Sequence, residues 1–150
     1  MKLNDFLTAQ QQASVVDAVR LAEKGTSGEI RIHIDRECKV SPMERAKEVF
    51  NKLGMFRTAQ RNGALIYLAV ESKVFAIIGD KGINDLVPEN FWADVVEVMG
   101  GEFRKGRFAE GLALGATLAG EKLKAYFPYQ EDDINELPDE ISFEEKEEGR

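Results

Sequence analysis

The spacing of apolar positions changes from helical to alternating within the first third of the chain. After Thr8, a good N-cap residue, apolar side chains recur every three or four positions up to Lys24, which predicts a helix. Turn residues follow at 25–28, and Glu29–Asp35 then alternates polar and apolar residues without a break. This alternation predicts a strand with one buried face and one polar face, with His33 on the polar face.

A second helix and a pair of strands are predicted next. Ser41 as N-cap, Pro42 at the first helical position and Glu44 in the first turn indicate a helix that ends near residue 54. Residues 64–70 form an almost continuous apolar run, typical of a central strand that is covered on both faces. Residues 74–79 return as its hairpin partner, and two more helices are predicted at about 89–103 and 107–126.

The predicted elements follow the order αβαββαα. A strand–helix–strand connection requires parallel strands with a right-handed crossover, whereas the hairpin adds an antiparallel strand. We therefore expect an α/β fold, a three-layer α/β/α sandwich with a small mixed β-sheet. In such a sheet the start of the first strand, the start of the second and the end of the third lie at the same end. Glu29, Asn62 and Asp80 are predicted to converge there.

Charge divides the chain into two parts. The 150 residues carry a net charge of −7, but residues 131–150 hold ten acidic and two basic residues, a net −8, so the preceding 130 carry +1. We expect one domain over residues 1–128 and an acidic, flexible tail over 129–150. A nearly neutral body lacks the basic surface that binds phosphates, which argues against a nucleic-acid partner.

Rare residue types exclude several kinds of site. The chain has one cysteine, Cys38, and one histidine, His33, so an intramolecular disulfide and multi-cysteine or multi-histidine metal sites are excluded. No signal peptide is visible, and no apolar run approaches the ~20 residues that span a bilayer. We expect a cytoplasmic protein without a membrane span. Its oligomeric state is left open.

Four short segments resemble a known family. They are 26–31 (Thr-Ser-Gly-Glu-Ile-Arg), 61–66 (Arg-Asn-Gly-Ala-Leu-Ile), 77–83 (Ile-Ile-Gly-Asp-Lys-Gly-Ile) and the pair Phe91-Trp92. In this order and spacing, over about residues 5–127, they resemble the TPM domain family. The resemblance implies an α/β/α sandwich, calcium or another divalent cation at the acidic end of the sheet, and a suspected acid-phosphatase activity in plant-type members. Many bacterial members carry a signal peptide and a membrane anchor, neither of which is visible here.

The polar residues at the end of the sheet are the candidate metal ligands. Hard divalent cations prefer oxygen ligands, and Glu29, Asn62 and Asp80 supply them, with Asp85 as a second-rank ligand. An alternative is a charged rim, in which these carboxylates pair with arginine or lysine. A second alternative is that Asn62-Gly63 serves only as a turn with positive φ. Arg61 stands where many family members have an acidic residue, which weakens the implied metal site.

Two functions follow from these residues. The first is a calcium-binding module that engages a protein partner. The alternative is a metal-assisted acid phosphatase acting on phosphate monoesters, in which the cation polarises the phosphoryl oxygen and Arg31 or Arg61 stabilises negative charge. No nucleophile is evident, so catalytic residues are not assigned, and no organic cofactor is predicted.

Overall fold

Helices and strands alternate along the first half of the chain in the computed structural model, which describes residues 2–130 and 135–144. The helices are α1 (Ala9–Glu23), α2 (Pro42–Lys52), α3 (Lys81–Asn84), α4 (Ala93–Arg104) and α5 (Phe108–Lys124). The strands are β1 (Glu29–Asp35), β2 (Gly63–Ala69), β3 (Val74–Gly79) and β4 (Ser142–Phe143). Short 3-10 turns lie at Leu3–Asp5 and Met55–Arg57.

The first two long helices begin at the predicted capping residues. The Thr8 hydroxyl accepts a hydrogen bond from the Gln11 backbone N–H, and the Gln11 side chain accepts one from the Thr8 backbone in return. The Ser41 hydroxyl accepts from the Glu44 backbone N–H ahead of α2. Each cap satisfies an amide that has no partner within the helix. Both predicted helix starts are confirmed.

The sheet has the strand order β3-β2-β1-β4. β1 pairs in parallel with β2 and with β4, whereas β2 and β3 are antiparallel. Helices α1, α4 and α5 cover one face of the sheet and α2 covers the other. The predicted α/β/α sandwich with a small mixed sheet is confirmed, and β4 is an addition that the apolar pattern did not predict.

β2 lies in the centre of this arrangement. All seven of its residues are buried. Ile66 points into the larger core with Ile32 of β1, while Leu65 and Tyr67 point into the smaller core beneath α2. The continuous apolar run of β2 is therefore explained by burial on both sides, as predicted.

β1 differs from its prediction because its polar face is also buried. Glu29, His33 and Asp35 are only 3%, 5% and 1% exposed. Expecting one solvated face was wrong, since α2 and residues 135–144, which we call the C-terminal strap, cover the polar side chains.

The C-terminal strap packs against the domain from which the sequence analysis separated it. Leu137 is 7% exposed and belongs to the smaller core, and Ile141 and Phe143 pack partly against the larger one. The rest of the predicted acidic tail from residue 131 onward, 131–134 and 145–150, lies outside the described residues. Within the described residues, no helix combines the length and apolarity that crossing a membrane requires.

Candidate functional site

Three backbone segments meet at one end of the sheet, as predicted. Glu29 lies opposite Gly63 in the β1–β2 ladder, and its N–H donates to the Asn62 carbonyl at 3.2 Å. The Asp80 N–H donates to the Gly63 carbonyl at 2.9 Å. The convergence of Glu29, Asn62 and Asp80 is thus confirmed for the backbone. Their side chains, however, take different partners.

Asp80 is paired with arginine. Its two carboxylate oxygens accept from Arg61 Nε at 2.6 Å and Nη2 at 2.8 Å, and one of them also accepts from the Lys81 backbone N–H at 2.7 Å. Asp85 pairs with Lys81 Nζ at 2.5 Å on the surface. Asp80 and Asp85 line a groove between α2 and α3, whereas Glu29 lines a different pocket. Asp80 and Asp85 are thus each paired with a basic side chain, as the charged-rim alternative describes.

The turn before β2 also differs from the expectation of positive φ at Asn62-Gly63. The positive φ, 52°, belongs to Arg61 instead. Glycine is required nearby at Gly82, whose N–H donates to the Arg61 carbonyl at 2.8 Å. A Cβ atom at Gly82 would lie 2.1 Å from the Gln60 carbonyl oxygen. The turn positions Arg61 against Asp80.

Glu29 keeps one carboxylate oxygen unpartnered. Oε1 accepts from the backbone N–H groups of Glu136 at 2.6 Å and Leu137 at 2.8 Å, while Oε2 is buried without a hydrogen-bond partner among the described residues. Burial raises the pKa of Glu29 to about 7, against the two backbone amides that lower it, and nearby Glu136 and Asp139 raise it further. Among the described residues, no arginine or lysine forms an ion pair with this carboxyl group.

Asn62 has a similarly unpartnered oxygen. Its Nδ2 donates to the Ser27 carbonyl at 3.3 Å, and its buried Oδ1 has no partner within residues 2–130 and 135–144. Asn62 is 1% exposed. A buried amide oxygen without a donor is unfavourable, so a further donor or a cation at this oxygen would stabilise it.

Two carboxyl groups that the sequence analysis missed, Glu23 and Asp139, join Glu29 around one pocket. The pocket has a volume of about 180 Å³ and lies between the end of α1, the start of β1 and the strap. Burial and a hydrogen bond with Asp139 raise the pKa of Glu23 to about 9, although its bond from the Ile30 N–H at 2.9 Å acts in the opposite direction. We call this pocket, lined by Glu23, Glu29 and Asp139, the acidic pocket. No local pattern connects these residues, because they lie on distant segments.

The cations beside the acidic pocket neutralise it only weakly. Arg20 and Lys24 line it, and Arg20 Nε lies 3.5 Å from Asp139 Oδ2. The Arg20 side chain is 55% exposed, so solvent screens this contact. Among the described residues, no three His, Cys, Asp or Glu side chains are grouped closely enough to hold a metal ion by themselves. A cation here would also need amide, backbone or water oxygens.

A family comparison identifies the domain that carries this pocket. The family model described as the TPM domain matches residues 1–122. The chain belongs to the TPM domain family. Comparison with curated proteins gave no match.

Solved structures show the same architecture. The chain is similar to the BA42 protein of the psychrophilic bacterium Bizionia argentinensis, known from NMR, with 47% sequence identity and a TM-score of 0.89 over 95% of this chain and 99% of that one. The N-terminal domain of a P. gingivalis protein shares the fold at 15% identity and a TM-score of 0.68, covering 84% and 83% of the two chains. The N-terminal domain of cg2496 from Corynebacterium glutamicum does so at 12% identity and a TM-score of 0.60, covering 90% and 79%.

The two arginines proposed as anion-stabilising have different surroundings in this TPM domain. Arg61 is bound to Asp80, whereas Arg31 of β1 is partly buried. Burial lowers the pKa of Arg31, and the charge of Glu140 acts against this. Arg31 Nε is buried without a partner among the described residues. Arg61 therefore already has an anionic partner, whereas Arg31 Nε has none among the described residues.

A second polar cluster occupies the opposite end of β1. Asp35 accepts from Arg45 Nε and from the Tyr67 hydroxyl, each at 2.7 Å. His33 Nε2 lies 2.7 Å from Asp35 Oδ1, and His33 Nδ1 lies 2.8 Å from Ser142 Oγ. Burial alone would raise the pKa of Asp35, but the hydrogen bonds from His33, Arg45 and Tyr67 outweigh it and hold this pKa well below its usual range. The cluster attaches β4 to β1, and His33 lies on the polar face of β1 as predicted, although that face is buried.

Proposed function

We propose that this TPM domain binds a divalent cation in the acidic pocket. The observation that carries the proposal is Glu29 Oε2, a carboxylate oxygen of a 97%-buried side chain that lines the pocket and has no partner among the described residues. Leaving such an oxygen unpaired is costly, and a cation removes that cost.

The available oxygens favour calcium. Glu23, Glu29 and Asp139 supply carboxylates, and the turn at residues 26–28 supplies backbone carbonyls. Asn62, with its unpartnered Oδ1 beside Ser27, is a further candidate. Calcium accepts about six to eight oxygens in flexible geometry, including waters, whereas magnesium demands a nearly regular octahedron. A pocket of about 180 Å³ has room for an ion together with several waters.

The electrostatics support the same proposal. The pKa values of Glu23, at about 9, and Glu29, at about 7, are raised first by burial and, to a smaller extent, by neighbouring acidic groups such as Asp139. A divalent cation supplies positive charge and favours the ionised forms. Of the residues proposed from sequence, Glu29 stays in this ligand set, and Asn62 is a neighbouring candidate that does not itself line the pocket. Asp80 and Asp85 leave it because they are paired with Arg61 and Lys81.

Calcium titration of matched variants tests the proposal. We expect saturable binding to the wild-type chain, followed by calorimetry and by NMR shifts in residues 23–29 and 135–139. Glu29→Gln keeps an oxygen for the strap amides but removes the charge, and Asp139→Asn removes a second charge, so each is expected to weaken binding about tenfold or more. Asp85→Asn is the control and is expected to bind like wild type. No saturable response of the wild-type chain at millimolar calcium would overturn the proposal.

The protein partner, the cytoplasmic location and the phosphatase alternative stay sequence-based predictions. For the phosphatase, Arg61 is already bound to Asp80, and no nucleophile was identified from the sequence. Hydrolysis of a chromogenic phosphate monoester by wild type and by Glu29→Gln, measured with and without calcium, tests this alternative. Equal rates in the two proteins would assign the hydrolysis to another source.

A further inference from the structure

The C-terminal strap and the proposed cation site share one residue, Glu29. Its Oε1 accepts from the backbone N–H groups of Glu136 and Leu137 in the strap, its Oε2 is buried without a partner among the described residues, and Glu29 lines the acidic pocket. Any ligand that fixes this carboxylate therefore also fixes the acceptor on which the strap docks.

The strap also supplies part of the pocket wall. Asn135 and Asp139 line the pocket from the strap, opposite Glu23 and Glu29 on the body. With no cation present, a hydrogen bond between Glu23 and Asp139 and the Arg20 contact hold Asp139 to the body, whereas the negative charges of Glu29 and Asp139 repel each other and oppose docking. A cation coordinated by carboxylates of both the strap and the body replaces this repulsion with attraction.

The other attachments of the strap are mostly polar, and they include hydrogen bonds from the Ala59 N–H to Glu136 and from the Arg36 N–H to Glu144 Oε1, and the Arg20–Asp139 contact. Leu137 is its one buried apolar side chain within the described residues 135–144. At the far end, β4 pairs with β1 over two residues, and the Glu144 N–H donates to the Ile34 carbonyl at 3.0 Å. Ser142 adds its contact with His33 at 2.8 Å. A segment with little buried apolar surface opens at a lower free energy than the core does.

We propose that cation binding and docking of the C-terminal strap are coupled, so that a divalent cation in the acidic pocket closes the strap along β1. This inference rests on the proposed function, because it needs the same cation. A ligand that binds only the docked form lowers the open population by the factor 1 + [L]/Kd, where [L] is the free calcium concentration. The coupling is reciprocal, so weaker docking lowers calcium affinity.

Amide hydrogen exchange of the full-length chain tests the coupling from the side of the strap. The informative amide is that of Glu144, since its acceptor, the Ile34 carbonyl, lies about 16 Å along β1 from Glu29. With calcium at about ten times its Kd, we expect exchange at Glu136, Leu137 and Glu144 to slow about tenfold. In Glu29→Gln, which retains the acceptor for the strap, calcium is expected to change these rates far less.

Calcium affinity of strap variants tests the coupling from the opposite side. Leu137 carries no ligand atom for the ion, yet Leu137→Ala is expected to weaken calcium binding several-fold, because the apparent affinity scales with the docked fraction. Leu137→Met preserves most of the apolar volume and is expected to retain the wild-type affinity.

The outcomes separate this inference from the proposed function. If the wild-type chain binds calcium but exchange at Glu144 is unchanged at saturation, the coupling is wrong and the cation site stands. If calcium does not bind at all, both are overturned. If Leu137→Ala does not fold, the wild-type exchange rates still decide the question.

Discussion

Asp80 and Glu29 enter the same end of the sheet and meet different neighbours. Asp80 lies beside Arg61 and forms a two-pronged ion pair, whereas Glu29 meets two backbone amides and keeps one oxygen unpartnered among the described residues. A carboxylate with an arginine neighbour has no electrostatic need for a metal ion. This difference explains why the proposed cation ligands are Glu29, Glu23 and Asp139 and no longer include Asp80.

The pairing of Asp80 leads to a first prediction. Asp80→Asn is expected to lower the stability of the metal-free protein by about 1 kcal/mol, because it weakens the Arg61 contact and the cap of α3. The loss is small because the Arg61 side chain is 46% exposed. Calcium affinity is expected to stay unchanged. Urea unfolding in chelator and calcium titration measure the two effects, with Asp85→Asn as the surface control.

A different result at Asp80 would change the assignment of the site. If Asp80→Asn raised the stability of the metal-free protein and abolished calcium-induced stabilisation, the carboxylate would belong to a cation site. The Arg61 pair would then not be its main partner in solution.

Close backbone packing gives a second residue-scale prediction. Gly82→Ala is expected to destabilise the protein by about 1–3 kcal/mol, because the new Cβ would overlap the Gln60 carbonyl. Gly101→Ala in α4 is the matched control, since a Cβ there meets no atom within 4 Å and alanine favours helix. Thermal unfolding of both variants measures the difference. Equal melting temperatures would contradict the tight contact at Gly82.

At the scale of elements, β1 and β2 bury two faces for different reasons. β2 is apolar throughout and lies between two cores. β1 buries a polar face as well, since Glu29 and Asp35 obtain hydrogen bonds from the strap, α2 and Tyr67. An alternating pattern therefore predicts a solvated face only where no other segment supplies partners for its polar groups.

The central position of β2 supports a third prediction. Ile66→Ala is expected to cost about 2–5 kcal/mol of unfolding free energy, because Ile66 is fully buried between β1 and β3. Ile78→Ala on β3 is the comparison variant and is expected to cost less, since Ile78 is partly exposed on an outer strand of the sheet. Urea unfolding curves of the two variants measure the difference. A larger loss at Ile78 would contradict the central position of β2.

At the scale of the whole molecule, the net charge of −7 is concentrated toward the C-terminus, yet part of that acidic segment is docked. Its contacts depend on backbone N–H groups and on Leu137, neither of which is visible in a charge count. Composition therefore predicted an acidic, flexible tail where residues 135–144 form a strap and a strand.

The buried network around Asp35 leads to a fourth prediction, which concerns acid stability. The pKa of Asp35 is lowered in the folded state relative to its ordinary value of 3.8. The unfolded chain therefore binds a proton at this group more readily, so the stabilisation present above about pH 4 is lost as the pH falls further. Asp35→Asn is expected to cost about 3–5 kcal/mol near pH 7, since Arg45 and His33 lose their buried partner.

Urea unfolding near pH 7 and near pH 3 measures this effect. The variant is expected to lose less stability between these conditions than wild type, because the titrating group is gone. Glu71→Gln is the control, since Glu71 pairs with Arg36 in an exposed contact. An equal loss in wild type and Asp35→Asn would show that other carboxyl groups cause the acid sensitivity.

The sequence by itself determined the kinds and order of the first elements, the mixed sheet, the central position of β2 and the family. The structural features follow from local spacing, capping residues and the direction that each connection imposes on the next strand, whereas the family follows from the resemblance of four short segments. It also placed Glu29 and Asn62 at the relevant end of the sheet, because strand direction alone decides which ends coincide.

Only the tertiary structure decided which carboxylate meets which partner. Glu23, Glu29 and Asp139 come together because the strap, near the C-terminus, packs against β1. No periodic pattern in the sequence indicates this long-range contact. The negative charge of Asp80 is balanced by Arg61. The positive φ of Arg61 shapes the turn before β2, and Gly82 allows the backbone to pack closely against that turn. Side-chain pairing depends on angstrom-scale distances between segments that are remote in sequence, and those distances exist only once the chain is folded.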